Sequence, residues 1–232
     1  MTSRATLSIQ RRALLSTLLW AWLPSALVLA VVVVISRSSG IRIDFFLRDP
    51  TAISGRPFFF GLISNLGILL WAATAAICLF SYAVLSRYSR DSELAKFLLG
   101  AGIGTTILCL SDLFRIHETV FPDYFGIREE IVFGVYGLLM VLYLLRFRAV
   151  ILRTEYFILA TSFILFGLSV EYDILTPGAV VISSITGISH FNFFLEDAPK
   201  LIGISTWLIY FSRVAAKTFQ QEFSNVQHRA SD

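Results

Sequence analysis

Charge is scarce in this chain: Asp, Glu, Lys and Arg make up 15% of its 232 residues. Soluble domains carry about a quarter, so a fold bathed in water on all sides is excluded as a first reading. Cysteine is nearly missing too. Cys78 and Cys109 both fall inside apolar runs with no CxxC spacing, which excludes a disulfide framework. Thiols in such runs are small packing residues. The chain is basic, with a pI near 9.0, yet its Lys and Arg residues form no stripe or run. A nucleic-acid interface needs such a patch, so that partner is excluded. No internal repeat is visible, which weakens an inverted-repeat transporter. HExxH is absent as well.

What the chain does have is apolar length. Apolar residues make up 56%, with a mean hydropathy of +0.74. They come in blocks rather than amphipathic stripes, and a bilayer core needs about 20 apolar residues per helix. Six blocks are long enough, roughly Ala13–Ser36, Phe58–Leu85, Leu94–His117, Glu130–Leu145, Glu155–Leu175 and Glu196–Phe219. The sequence therefore predicts an all-α polytopic membrane protein. It reads as a single transmembrane domain over 1–232, a bundle of six transmembrane helices with short cytoplasmic tails at about 1–12 and 220–232. Arg11-Arg12 before the first block resembles a signal sequence. That block is too long for a signal h-region and no small-residue cleavage site follows it, so a retained signal anchor is expected.

Orientation follows from the flanks. Arg4, Arg11, Arg12, Arg87, Arg90, Lys96, Arg146, Arg148, Arg153, Arg213, Lys217 and Arg229 share one side. The positive-inside rule makes that side cytoplasmic, with both termini inside, and suits a bacterial inner (plasma) membrane. Only the first outer loop dissents, with Arg37, Arg42, Arg48 and Arg56 partly offset by Asp44 and Asp49. The second long outer loop, residues 176–195, has no basic residue and is apolar. Such a loop is expected to dip into the bundle or its outer interface. Gly100 and Gly104 in the third block, and Ala72 with Ala76 in the second, are spaced for close helix packing.

The outer side is acidic. Asp112, Glu118, Asp123, Glu129, Glu130, Glu171, Asp173, Glu196 and Asp197 face only Arg115, Arg128 and Lys200, with His117 and His190 in the same zone. Carboxylates that begin helices are favoured by the helix dipole at ~0.3–1 kcal/mol, which accounts for Glu129, Glu130, Glu196 and Asp197. Those that end helices are not, and Asp112 lies about a turn and a half inside its span. A charge there needs a compensator. Arg115 at i+3, Lys200 and a bound cation are the three available.

Two histidines with several carboxylates is an inventory for Zn, Fe or Mn. The candidate ligands are Asp112, His117, Glu118, Asp173, His190 and Glu196, with Glu129 or Glu130 as general base. Asn65, Arg115, Asp197 and Lys200 would complete the network. The spacing is poor on a continuous helix: at 100° per residue, Asp112 and His117 point about 140° apart. Both face one centre only if the helix breaks near Ile116. The first functional expectation is a metal-dependent, membrane-embedded enzyme acting on a lipid or amphipathic substrate. The alternative is a non-catalytic subunit, assembly factor or sensor packed against other membrane subunits. Ion- or proton-coupled transport ranks behind both, because the central layer of the spans carries no charge.

Overall fold

The computed structural model describes residues 22–88, 92–175 and 189–231, and every regular element among them is helical. The chain divides into two compact units, Met1–Phe60 and Gly61–Asp232.

In the first unit, α1 (Trp22–Ser39) is rich in valine, leucine and isoleucine and has no buried residue. Ser38 and Ser39 hydroxyls close its end by donating to the Ile35 carbonyl, and Gly40 follows at φ +71°. Two short helices come next, α2 (Asp44–Leu47) and α3 (Pro50–Ser54). The signals for α3 are local. The Asp49 side chain accepts from the Thr51 and Ala52 amides, Pro50 supplies a ready helical φ, and Gly55 ends the helix in the left-handed region.

The second unit contains α4 (Leu62–Tyr88), α5 (Ser92–Leu113), a π-helix (Ile116–Tyr124), α6 (Glu129–Arg146), α7 (Arg148–Ile151), α8 (Tyr156–Leu175) and α9 (Ser189–Ser231). Helix α4 packs on α5 and α9, and α9 packs on α8. Aromatic rings fill the centre. Trp207 lies 6.1 Å from Trp71, 5.6 Å from Phe163 and 4.9 Å from Phe211, and Phe97 stacks on Tyr143 at 5.5 Å. Such pairs prefer offset or edge-on geometry and add about 0.5–1.5 kcal/mol each. Polar tips in this core are answered inside it. The Trp207 indole N–H donates to Thr105, the Tyr143 hydroxyl donates to the Phe97 carbonyl, and Tyr210 bonds Thr154. Thr74, Ser162 and Thr218 donate to carbonyls of their own helices. At one end, Glu155 just before α8 takes both Arg213 and Lys217 of α9, while Glu93 of α5 takes Lys96 and Arg146.

Three helices among the described residues are long and apolar enough to cross a membrane: Trp22–Ser39, Leu62–Arg87 and Glu93–Leu113. The apolar stretch of α8, Tyr156–Val170, is shorter. Several expected boundaries move. The third block ends as α-helix at Leu113 rather than running to His117. The last helix begins at Ser189, so His190 sits in its first turn and not in a loop, and it continues through the expected tail to Ser231. Residues 176–188, the rest of the expected apolar outer loop, lie outside the described residues, as do residues 13–21 of the first block.

The small-residue pattern also resolves differently. Ala72 and Ala76 are exposed, while Ala75 between them is buried. Gly104 has open space around it, whereas a Cβ on Gly102 would meet Leu79 Cγ at 2.8 Å and the Leu79 backbone nitrogen at 3.2 Å. Gly102 is thus packed tightly on α4 where Gly104 is not, and a Cβ on Gly100 would meet the Tyr143 ring of α6 at 2.9 Å. Gly102→Ala is therefore expected to cost about 1–3 kcal/mol through overpacking, read as a lower melting temperature of the detergent-purified protein. Gly104→Ala should leave that temperature unchanged or raise it.

Candidate functional site at the acidic pole

The site begins with a break in the backbone. Arg115 sits at φ 50°, ψ 43°, the only described non-glycine residue with positive φ. An arginine there costs of order 1 kcal/mol or more and has to be held by its surroundings. The chain then re-enters as a π-helix, a form that often accompanies functional sites, with Pro122 near its end. The break turns His117 back under the end of α5. On an unbroken helix Ser111 and His117 would point about 120° apart. Here the Ser111 hydroxyl and His117 Nδ1 are 2.8 Å apart.

His117 is 4% exposed and its ring rests on Phe133 at 5.0 Å. Tyr136 on α6 donates to Ser111 Oγ at 3.1 Å. Ser111 Oγ accepts from Tyr136 and shares a hydrogen bond with His117 Nδ1, so it links α6 to the histidine ring. Nε2 faces two carboxylates, Glu118 Oε1 at 3.5 Å and Glu129 Oε1 at 3.9 Å. Glu118 is also gripped by Arg115 at 2.7 Å. His117 first, then Arg115, holds the Glu118 carboxyl down at about 2. The result is a chain of polar groups running Tyr136, Ser111, His117, Glu118 and Glu129 across α6, α5 and the π-helix.

A second network starts from the neighbouring residue. Asp112 Oδ2 accepts from the Trp71 indole at 3.0 Å, and Oδ1 accepts from the Lys200 ammonium at 3.1 Å. The Asp112 side chain is 14% exposed. One carboxylate thus ties α4, α5 and α9 together. A recess of about 30 Å³ adjoins it, lined by Ser64, Gly67, Asp197 and Lys200 among others. That is room for a single water.

The expected centre is therefore divided. The helix does break, one residue before Ile116, but the break sends His117 toward Ser111 and not toward Asp112. Arg115 turns to Glu118 instead of compensating Asp112, and Lys200 serves Asp112 in its place. Glu130 is paired with Arg128 at 2.7 Å and Glu129 approaches His117, so the two candidate bases have different surroundings. Asn65 is exposed, and Ser64 and Gly67 of the same helix line the recess in its stead. Asp197 stands beside Lys200. The side chains of Asp173, His190 and Glu196 lie outside the described residues. Among those described, no group of three or more His, Cys, Asp or Glu side chains is arranged to hold a metal ion. Trp71, Ser111 and Tyr136 were not singled out from sequence. The signal for Trp71 was an indole N–H in an apolar run, which needs an internal acceptor.

Fold and site together define a class: an all-helical protein with helices apolar enough for a membrane and a polar pole built from two side-chain networks. The chain belongs to the family described as Domain of unknown function (DUF8692), whose family model matches residues 24–214 and so takes in both networks. No curated protein matches the chain, and no solved structure matches it.

Two outcomes test this geometry. Lys200→Met leaves Asp112 without its cation and should destabilise the protein by ~1.5–3 kcal/mol, the worth of a hydrogen bond to a charged group. Asp112→Asn added to Lys200→Met should restore part of that loss in thermal melts, because the uncompensated charge is gone. Glu118 gives a pH signature. Its folded value of about 2 lies below its ordinary 4.5, so its stabilisation is complete above pH 4.5 and is lost as pH falls toward 2. Amide exchange in residues 116–124 should accelerate over that window, and Glu118→Gln should remove the dependence.

Proposed function

We propose that the protein is a six-span integral membrane protein with both termini cytoplasmic, acting as a scaffold or sensor subunit of a membrane assembly. The three candidate spans support the membrane reading directly. Helices α6 and α8, of 18 and 20 residues, are about 27–30 Å long at 1.5 Å per residue, close to a hydrocarbon core. Their charges sit at their ends, where side chains snorkel to the interface. Helix α9 carries a 12-residue uncharged stretch between Lys200 and Arg213, and the long stems of both side chains extend its apolar reach. A bacterial inner membrane suits the distribution of basic residues.

One observation carries the non-catalytic reading: three of the pole's carboxylates are paired with cations of the same chain. Asp112 has Lys200, Glu118 has Arg115 and Glu130 has Arg128. The excess of negative charge that argued for a bound metal is thereby reduced, and the recess beside Asp112 holds no substrate-sized volume. The pole then serves as a clamp that fixes α4, α5 and α9, with the His117 chain beside it.

A second reading keeps the metal-dependent enzyme. It rests on His117 Nε2, which faces Glu118 and Glu129 while the other ring nitrogen is oriented by Ser111, as in the outer shell of many metal histidines. A Zn, Fe or Mn ion held there would polarise a bound water or a substrate oxygen. Metal analysis of the purified protein separates the two. The scaffold reading expects background zinc, iron and manganese, unchanged in His117→Ala/Asp173→Asn. A stoichiometric metal that disappears in that variant overturns it in favour of the enzyme.

A further inference from the structure

Residues 37–60 contain the four arginines that break the positive-inside pattern. They also contain an unusual density of exposed rings. Phe45, Phe46, Phe58, Phe59 and Phe60 are all exposed, Phe58 to 91%, with Ile41, Ile43 and Leu47 beside them. The acids of the segment are spent locally. Asp44 pairs with Arg42 at 2.6 Å, and Asp49 caps α3 through the Thr51 and Ala52 amides. Arg48 and Arg56 make no ion pair among the described residues. Arg42 lies 5.8 Å from the Phe45 ring and Arg56 lies 5.7 Å from the Phe60 ring. The segment is thus apolar ring and guanidinium side by side, with net positive charge and no buried side chain in α2 or α3.

Its position limits what can cover it. The chain enters it from Trp22–Ser39 and leaves it into Leu62–Arg87, two of the helices able to cross a membrane. On the membrane reading, a connection between two consecutive spans has both ends at one bilayer surface, where the headgroup layer is only about 5–8 Å deep on each side. Segments with Phe and Leu on one part and Arg on the other bind in that layer through apolar burial and attraction to phosphate. Guanidinium suits a phosphodiester in particular, since its fork donates to two oxygens.

We propose that residues 41–60 lie in the phospholipid headgroup layer between the first two spans, with their phenylalanines at the acyl boundary and Arg48 and Arg56 on lipid phosphates. The inference rests on the membrane reading of the preceding subsection and adds to it a lipid-binding surface. It also accounts for the dissenting arginines, which are bound to lipid on the outer side and need not mark that side as cytoplasmic.

The test uses the full chain with an environment-sensitive fluorescent amino acid placed at Phe59 or at Leu69. Leu69 is exposed within the second candidate span. The protein is reconstituted into phosphatidylcholine–phosphatidylglycerol vesicles and quenched by lipid brominated high on the acyl chain, or by acrylamide from the water. Strong bromine quenching and weak acrylamide quenching at both positions is the expected result. Bromine quenching at Leu69 with acrylamide quenching at Phe59 equal to that of the free amino acid overturns the inference and leaves the membrane reading intact. No bromine quenching at Leu69 overturns the membrane reading and this inference with it. In Arg48→Gln/Arg56→Gln, acrylamide quenching at Phe59 should rise several-fold, each arginine at a lipid surface being worth about a fivefold change in population. Unchanged quenching in that variant overturns the phosphate contacts.

Discussion

A carboxylate placed among apolar helices has to find its charge partner inside the protein, and Asp112 finds two donors on two other helices. Trp71 and Lys200 reach it from α4 and α9, so a single side chain of α5 fixes the relation of three helices. No hydrophobic force draws helices together within lipid, which is as apolar as they are. Internal hydrogen bonds and close packing have to supply the specificity. The same economy runs through the core, where Trp207 answers Thr105 and Tyr143 answers a carbonyl of α5. At the opposite end, exposed pairs around Glu155 and Glu93 join α8 to α9 and α5 to α6. Exposed pairs contribute about 0–1 kcal/mol each, so they set register more than stability.

The backbone break at Arg115 separates clamp from relay. Ser111 and Asp112 are neighbours in sequence and diverge by about 100° on the helix. One faces the α4–α9 side and the other faces α6. Only because the chain reverses after Leu113 does a histidine come to meet Ser111. From this left-handed position Arg115 pairs with Glu118, which in turn faces His117. A left-handed arginine, a π-helix and a buried histidine are therefore parts of one arrangement.

Much of this protein follows from sequence alone. Long apolar blocks with charges confined to their ends dictate helices, since a backbone in an apolar medium must satisfy itself internally. The excess of Asp and Glu marks one pole, and the depth of Asp112 in its block demands a compensating cation; Lys200 was among the choices. Asp49-Pro50 and Gly55 dictate α3 by purely local chemistry. Tertiary structure decided the rest. The choice of Lys200 over Arg115 for Asp112 depends on how α9 packs, which residue spacing does not encode. Asn65 falls on the exposed face because helix rotation is set by packing at Trp71 and Gly67, not by position along the helix. Gly102 is closely packed and Gly104 is not for the same reason. The division of one expected centre into two networks came from a left-handed residue at Arg115, a conformation that arginine does not favour and that only its surroundings could impose.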